Sequence, residues 1–148
     1  MHFTSLPSEN VAIAAVIAPG ALTAGAKNSA WIDLALYQQL AAVIAWGALG
    51  SSATIDGKWQ VADDSSGTNP VDVTGVVALT QVLAAGGNNK QAIHNFDANK
   101  VTNTGKRFAR YVMTVGVATS DAVAVILGFQ ARHLPATDND SSTVVQVV

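Results

Sequence analysis

The sequence predicts an all-β chain: a single compact antiparallel β-sandwich, jelly-roll-like, with extended N- and C-terminal arms. Three observations carry that expectation. In ATIDGKWQV, Ile55, Gly57, Trp59 and Val61 fall on one face of a period-two pattern, and Asp56, Lys58 and Gln60 on the other. In RFARYVMTVGV, Ala109, Tyr111, Met113, Val115 and Val117 alternate with Arg110, Val112 and Thr114. Turn-forming clusters (DDSSGTNP from Asp63, GGNN from Gly86, NTG from Asn103) recur at intervals that leave little room for long helices.

Taken in order, MHFTSLPSEN is polar and carries Pro7, which makes residues 1–10 an extended arm. The sandwich then occupies 11–135. Val11 to Ile17 is a strand expected to end at Pro19-Gly20, and Ala24 to Ala30 a loop of small residues. The stretch SAWIDLALYQQLAAVIAWGAL, Ser29 to Leu49, is open to two readings. Ile32, Ala35, Leu36, Leu40, Val43 and Ile44 approximate helical spacing, and no Gly or Pro intervenes before Trp46. Split near Tyr37–Gln39, the same residues alternate: Trp31, Asp33 and Ala35 against Ile32, Leu34 and Leu36. Consistency with the downstream strands favours two sheet segments.

Further on, β-branched residues make Thr74 to Ala84 a strand, and Ala92 to Phe96 another. RFARYVMTVGV and DAVAVILGFQAR, joined by a short ATS turn, predict an antiparallel hairpin. Gly47, Gly116 and Gly128 inside apolar runs mark bulges or close backbone approach. ATDNDSST then forms a linker to a short apolar tail, VVQVV, over 136–148.

Composition bounds the function. In 148 residues, 49% are apolar and 12% charged, about half the usual charged share. A chain this sparsely charged is expected to bury a broad interface with copies of itself or with a larger assembly. The formal net charge is -2, and the only local basic cluster is Lys106, Arg107 and Arg110, which disfavours nucleic acid as a partner. There is no cysteine, so disulfides and thiolate metal sites are excluded. VAIAAVIAPGALTAGA superficially has the form of a signal peptide, but no Lys or Arg precedes it and Glu9 does. No uncharged apolar run is long enough to span a membrane without Gly or Pro.

The chemistry-bearing residues point away from catalysis. His2, His94 and His133 stand alone, without the close pairing that a zinc site needs; His94 reads as an ordinary polar sheet position. Asp63-Asp64 and Asp138 with Asp140 read as solvated loop acids, since DNDSS lacks the glycine and terminal glutamate of a calcium loop. No G-x-S-x-G elbow occurs, nothing recommends Asp33 with Asp56 as paired carboxylates, and GALG and AAGG lack the ending of a phosphate loop. No enzyme activity, catalytic residue, metal or cofactor is expected. Trp31, Trp46 and Trp59 are read as core or interface anchors; displayed on a surface, they would instead suit sugar stacking.

Several stretches together carry a family resemblance. They are SAWIDLALYQQLAAVIAWGALG, ATIDGKWQVADDSSGTNPVDVTG, GGNNKQAIHNFD and GKRFARYVMTVGVATSDAVAVILGFQARHLPA. In this order, over roughly Ser29 to Ala136, the chain resembles the small capsid-decoration (cement) proteins of tailed bacteriophages. The resemblance implies a compact sandwich on the outer face of the virion, made in the host bacterial cytoplasm. Its partners would be the major capsid protein and copies of itself, often as trimers at lattice junctions. It also implies a stabilising role against internal genome pressure. The candidate interface residues are those of the two tails and the acidic loop: Phe3, Leu6, Pro7, Asp63, Asp64, Val144, Val145 and Val147. The alternative is a carbohydrate-binding β-sandwich of a phage head or tail fibre.

Overall fold

A computed structural model describes residues 6–148; Phe3 lies outside the described residues. One helical turn, α1 (Pro7–Asn10), leads into the strands β1 (Val11–Leu22), β2 (Gly25–Asn28), β3 (Ile32–Asp33), β4 (Tyr37–Trp46) and β5 (Thr54–Ala62). These are followed by β6 (Val71–Asp72), β7 (Val82–Leu83), β8 (Lys90–Asp97), β9 (Phe108–Gly116) and β10 (Ser120–Ala131). Two sheets form. Sheet A runs β1-β10-β4-β8, and sheet B runs β2-β9-β5-β6, with β3 also on β9 and β7 also on β5. Every pairing is antiparallel. The chain passes back and forth between the sheets so that first and last strands lie side by side in sheet A. That is a jelly-roll arrangement.

The alternation read from the sequence sets the core. Ile55, Trp59 and Val61 of β5 are buried with Ala109, Tyr111, Met113 and Val115 of β9. Leu40, Ala42 and Ile44 of β4 and Ala122, Ala124 and Ile126 of β10 supply the opposite wall. Each large aliphatic or aromatic side chain so buried contributes about 1.5–3 kcal/mol. Trp59 is the centre: its ring lies 4.9 Å from Tyr111 edge-on and 5.1 Å from Phe96.

Ser29 to Leu49 contains no helix. The stretch divides as sheet segments, but it crosses at Leu34–Leu36 rather than at Tyr37–Gln39, which already belong to β4. Asp33 makes the crossing: its carboxylate accepts from Ala35 N–H at 2.8 Å and its carbonyl from Leu36 N–H at 3.0 Å. Ile32 and Leu34 are buried and Ala35 exposed, as the alternation requires.

Other expectations need correction. RFARYVMTVGV and DAVAVILGFQAR are not a hairpin: β9 lies in sheet B and β10 in sheet A. Both present apolar side chains inward, so the link arches across the core instead of folding back, turning at Val117 with φ 67°. Strand β1 does not stop at Pro19-Gly20; it absorbs them in a register shift between Ile17 and Gly20, at the free edge where a proline breaks no ladder. The small-residue loop contains β2. Of Thr74 to Ala84, only Val82–Leu83 is strand; Val76 and Leu79 pack instead against the core at the side of the sandwich.

Candidate functional site

Sheet A is apolar on its inner face and over the middle of its outer face. Its inward residues were named above; its outward residues follow from the register. Strand β10 turns out Val123, Val125, Leu127 and Phe129, all half-buried. Beside them β1 sets Val11 against Phe129, Ile13 against Leu127 and Val16 against Val125. On the other flank β4 sets Ala41 against Leu127, Val43 against Val125 and Ala45 against Val123. Ile93 of β8, paired with Val43, extends the patch to the sheet edge and is 64% exposed. These residues carry no charge, but the same face turns polar toward β8, with Gln39, Gln91, Asn95 and Asp97, and at the start of β10, with Asp121. An antiparallel sheet with one face on the core ordinarily turns polar residues to water; a contiguous apolar patch there marks an interaction surface.

The C-terminal segment lies along this face. Asp140 N–H donates to the carbonyl of Ile13 at 2.7 Å, and Asn139 Oδ1 accepts from Ile13 N–H at 2.8 Å. The Tyr37 hydroxyl donates to the carbonyl of Asp138, and Ala136, buried, donates to Glu9 at 2.8 Å. Asp140 then caps its own turn through Ser142 and Thr143, which holds its carboxyl below the usual range. Beyond it, Val144 and Val145 share a cleft with Ile13, Val16 and Val125. Val144 is half-buried there, whereas Val145 and Val148 are each 97% exposed.

A second concavity, about 930 Å³, runs beside β8 under the Gly75–Thr80 loop. Its lining includes Gln39, Asn95, Asp97 and Lys100 with Ile93 and Phe129. Within the adjoining core, His94 Nδ1 stands 3.1 Å from the Tyr111 hydroxyl. Burial pushes the Tyr111 pKa up and the His94 pKa down, which favours the neutral form of both, and the imidazole tautomer sets which of the two donates. His94 Nε2 has no hydrogen-bond partner of normal geometry among the described residues, although the Val77 main chain opposes the downward shift.

The sequence-predicted site residues do not form one cluster. Leu6 and Pro7 are exposed beside the start of β1. Asp63 and Asp64 follow the end of β5, but their carboxylates are engaged within the protein. Asp63 accepts from Lys106 Nζ at 2.7 Å and Asn69 at 2.8 Å. Asp64 accepts from Thr68 Oγ1 at 2.6 Å and from the N–H of Ser66 at 2.9 Å. Val144 and Val145 lie at the outer face, and Val147 is exposed beyond it. What sequence reasoning missed is the outer face of sheet A itself. The signal was present in DAVAVILGFQAR, apolar at both parities, which had suggested only a central strand.

The other candidates resolve plainly. The basic cluster is committed internally: Lys106 to Asp63, Arg107 Nε to Asp33 at 2.9 Å, and Arg110 to Gln60 and the Trp31 ring. Trp59 and Trp46 are buried; Trp46 Nε1 donates to Gly87 O at 3.2 Å. Trp31 is covered on one side by the Arg110 guanidinium, 4.5 Å from its ring, and abuts Gly67. No group of three or more metal-ligating side chains occurs among the described residues. None of their helices is long and apolar enough to cross a membrane.

No protein-family model matches the sequence, and no curated protein matches it. Among solved structures the chain is similar to the CBM32 of AlyQ in complex with 4,5-unsaturated mannuronic acid. The identity is 16%, over 75% of this chain and 76% of that one, with a TM-score of 0.36. It is also similar to the CBM22-1 xylan-binding domain from Paenibacillus barcinonensis Xyn10C, at 11% identity over 70% of this chain and 71% of that one, with a TM-score of 0.37.

Proposed function

We infer that this chain is a non-catalytic capsid-decoration protein of a tailed phage, which adheres to the outer surface of the head and stiffens it. The observation that carries the reading is the apolar patch of Ile13, Val16, Val43, Val123, Val125 and Leu127 at the middle of the outer face of sheet A. A surface of that kind does its work by burial against another protein and needs no reacting group. The resemblance over Ser29 to Ala136 supplies the setting, with the major capsid protein as the partner. Low charge throughout the chain suits an assembly with broad contacts. Mixing the purified protein with shells that lack it, then pelleting the shells, tests the reading. Saturable co-sedimentation is expected; a protein that stays in the supernatant at every concentration contradicts it.

The groove beside β8 favours a second reading, a carbohydrate-binding sandwich. Its polar lining (Gln39, Asn95, Asp97 and Lys100) next to Phe129 has the mixed character that a sugar site requires. Against it, Trp46 and Trp59 are built into the core and are not displayed as stacking platforms. Isothermal titration with oligosaccharides separates the two: heat that saturates and is lost in Asn95→Ala would favour the sugar reading.

A further inference from the structure

We propose that Val117, at the tip of the link between β9 and β10, is a docking knob. The loops around it form a second contact surface, fitted to an uncharged apolar recess on a partner protein. The inference rests on the adhesive reading above and places a further contact outside the sheet A patch.

The backbone is the first argument. Val117 has φ 67°, and Ala118 N–H donates to Gly116 O at 2.8 Å. A bond between residues two apart around a positive φ is the rare, strained γ-turn, and a β-branched residue suits it badly. Glycine or asparagine would make the same turn with less strain. The side chain gains no burial in exchange, since Val117 is 72% exposed. A strained backbone that displays an apolar side chain to water points to a contact made with something else.

The surroundings are the second. The β9–β10 link over 117–119, the β4–β5 link over 47–53 and the stretch 84–89 meet at one end of the sandwich and contain no charged residue. Lys27, Lys90 and Asp121 border them; the two ammonium groups are engaged by Thr23 Oγ1 and Gly86 O, and Asp121 turns to the outer face of sheet A. The links at the opposite end carry Asp63, Asp64, Lys100, Lys106, Arg107 and Arg132.

Hydrogen bonds lock the neutral loops together. Gly50 N–H donates to Ser120 Oγ at 3.2 Å, Asp121 N–H to Ala48 O at 2.9 Å, and Leu49 N–H to Asn88 Oδ1 at 3.1 Å. The surface is thus set before binding and loses little freedom on contact. A β-carbon on Gly50 would stand 2.7 Å from that of Ala118, so small residues flank the knob and let a partner approach closely. Among the described residues, these loops offer no cation to a phosphate or an anionic lipid, and no exposed aromatic ring to a sugar. An uncharged protein recess that takes a valine is the occupant that fits.

The test pairs thermal melting of the full chain with its binding to shells that lack it. Val117→Asn keeps the turn and removes the knob. It is expected to melt higher than wild type and to bind shells about tenfold more weakly, the scale of one buried apolar side chain. Val117→Ile keeps both strain and knob, and is expected to melt and bind as wild type does. A Val117→Asn chain that binds as tightly as wild type overturns the proposal and spares the decoration reading. One that melts no higher than wild type removes the strain argument and overturns the proposal too. A wild type that binds no shells overturns the decoration reading and this proposal with it.

Discussion

The hydroxyl of Tyr111 occupies the space that a β-carbon on Gly57 would need, and reaches on to His94 Nδ1 at 3.1 Å. Gly57 is on the core face of β5, where alternation calls for an apolar side chain. The phenol from β9 takes that place and ties the two sheets together through the histidine of β8. Gly57→Ala is therefore expected to destabilise the fold by about 1–3 kcal/mol, the usual range for overpacking. Denaturant titration measures it. In the Gly57→Ala, Tyr111→Phe double variant the loss should be less than the sum of the single losses, since the phenylalanine removes the colliding oxygen.

His94 sets a pH dependence. Burial lowers its folded pKa beneath the unfolded value of about 6.5, so protonation favours the unfolded chain. Its contribution is fully present above that value and is lost as pH falls from about 6.5 toward the lowered folded pKa. His94→Gln is expected to flatten the stability curve in that window. A second loss belongs to Asp33, Asp72 and Asp140, whose hydrogen bonds hold their pKa values below the usual carboxylate range. Stability from these groups is present above about pH 4 and is lost as pH falls through their lower folded values. Thermal melts of wild type and His94→Gln from pH 3 to 8 separate the two steps.

The tryptophans should behave as interior residues. Trp59 and Trp46 are buried, so emission is expected to be blue-shifted and poorly quenched by acrylamide until the protein unfolds. Oligosaccharides are expected to leave the spectrum unchanged. A glycan-dependent quench in the native protein would revive the sugar reading.

The C-terminal segment is held by few bonds, and Asn139 is the one to remove. Its side chain satisfies Ile13 N–H at the free edge of β1. Asn139→Ala is expected to cost about 1 kcal/mol, the scale of one hydrogen bond with its donor left unpaired. Hydrogen exchange at the Ile13 amide should quicken, with the amides of β4 unaffected.

Much of this architecture was legible in the sequence. Alternation over Ile55–Val61 and Ala109–Val115 identified the inward side chains, because a strand's side-chain period leaves only two faces to choose between. The same pattern is silent on which sheet a strand joins, and β9 and β10 were for that reason mistaken for a hairpin. Apolar β-branched residues at Val76 and Val77 suggested a strand where a loop serves to plug the sandwich. Asp63 and Asp64 looked available because their partners, Lys106, Asn69 and Thr68, meet them only through the folded loop. The outer face of sheet A was the larger omission. An apolar run at both parities is what a buried central strand looks like, and only the register showed that its second face is covered by no other sheet and only in part by the C-terminal segment.

The central claim is adhesion to a phage shell, and the shell's heat resistance tests it most directly. Capsids with and without this chain should be heated at low ionic strength and genome release followed by dye fluorescence. Release at a clearly higher temperature when the protein is bound, with the gain lost in Val125→Lys, is the result expected. Capsids that release their genome at the same temperature with and without the protein would contradict the account.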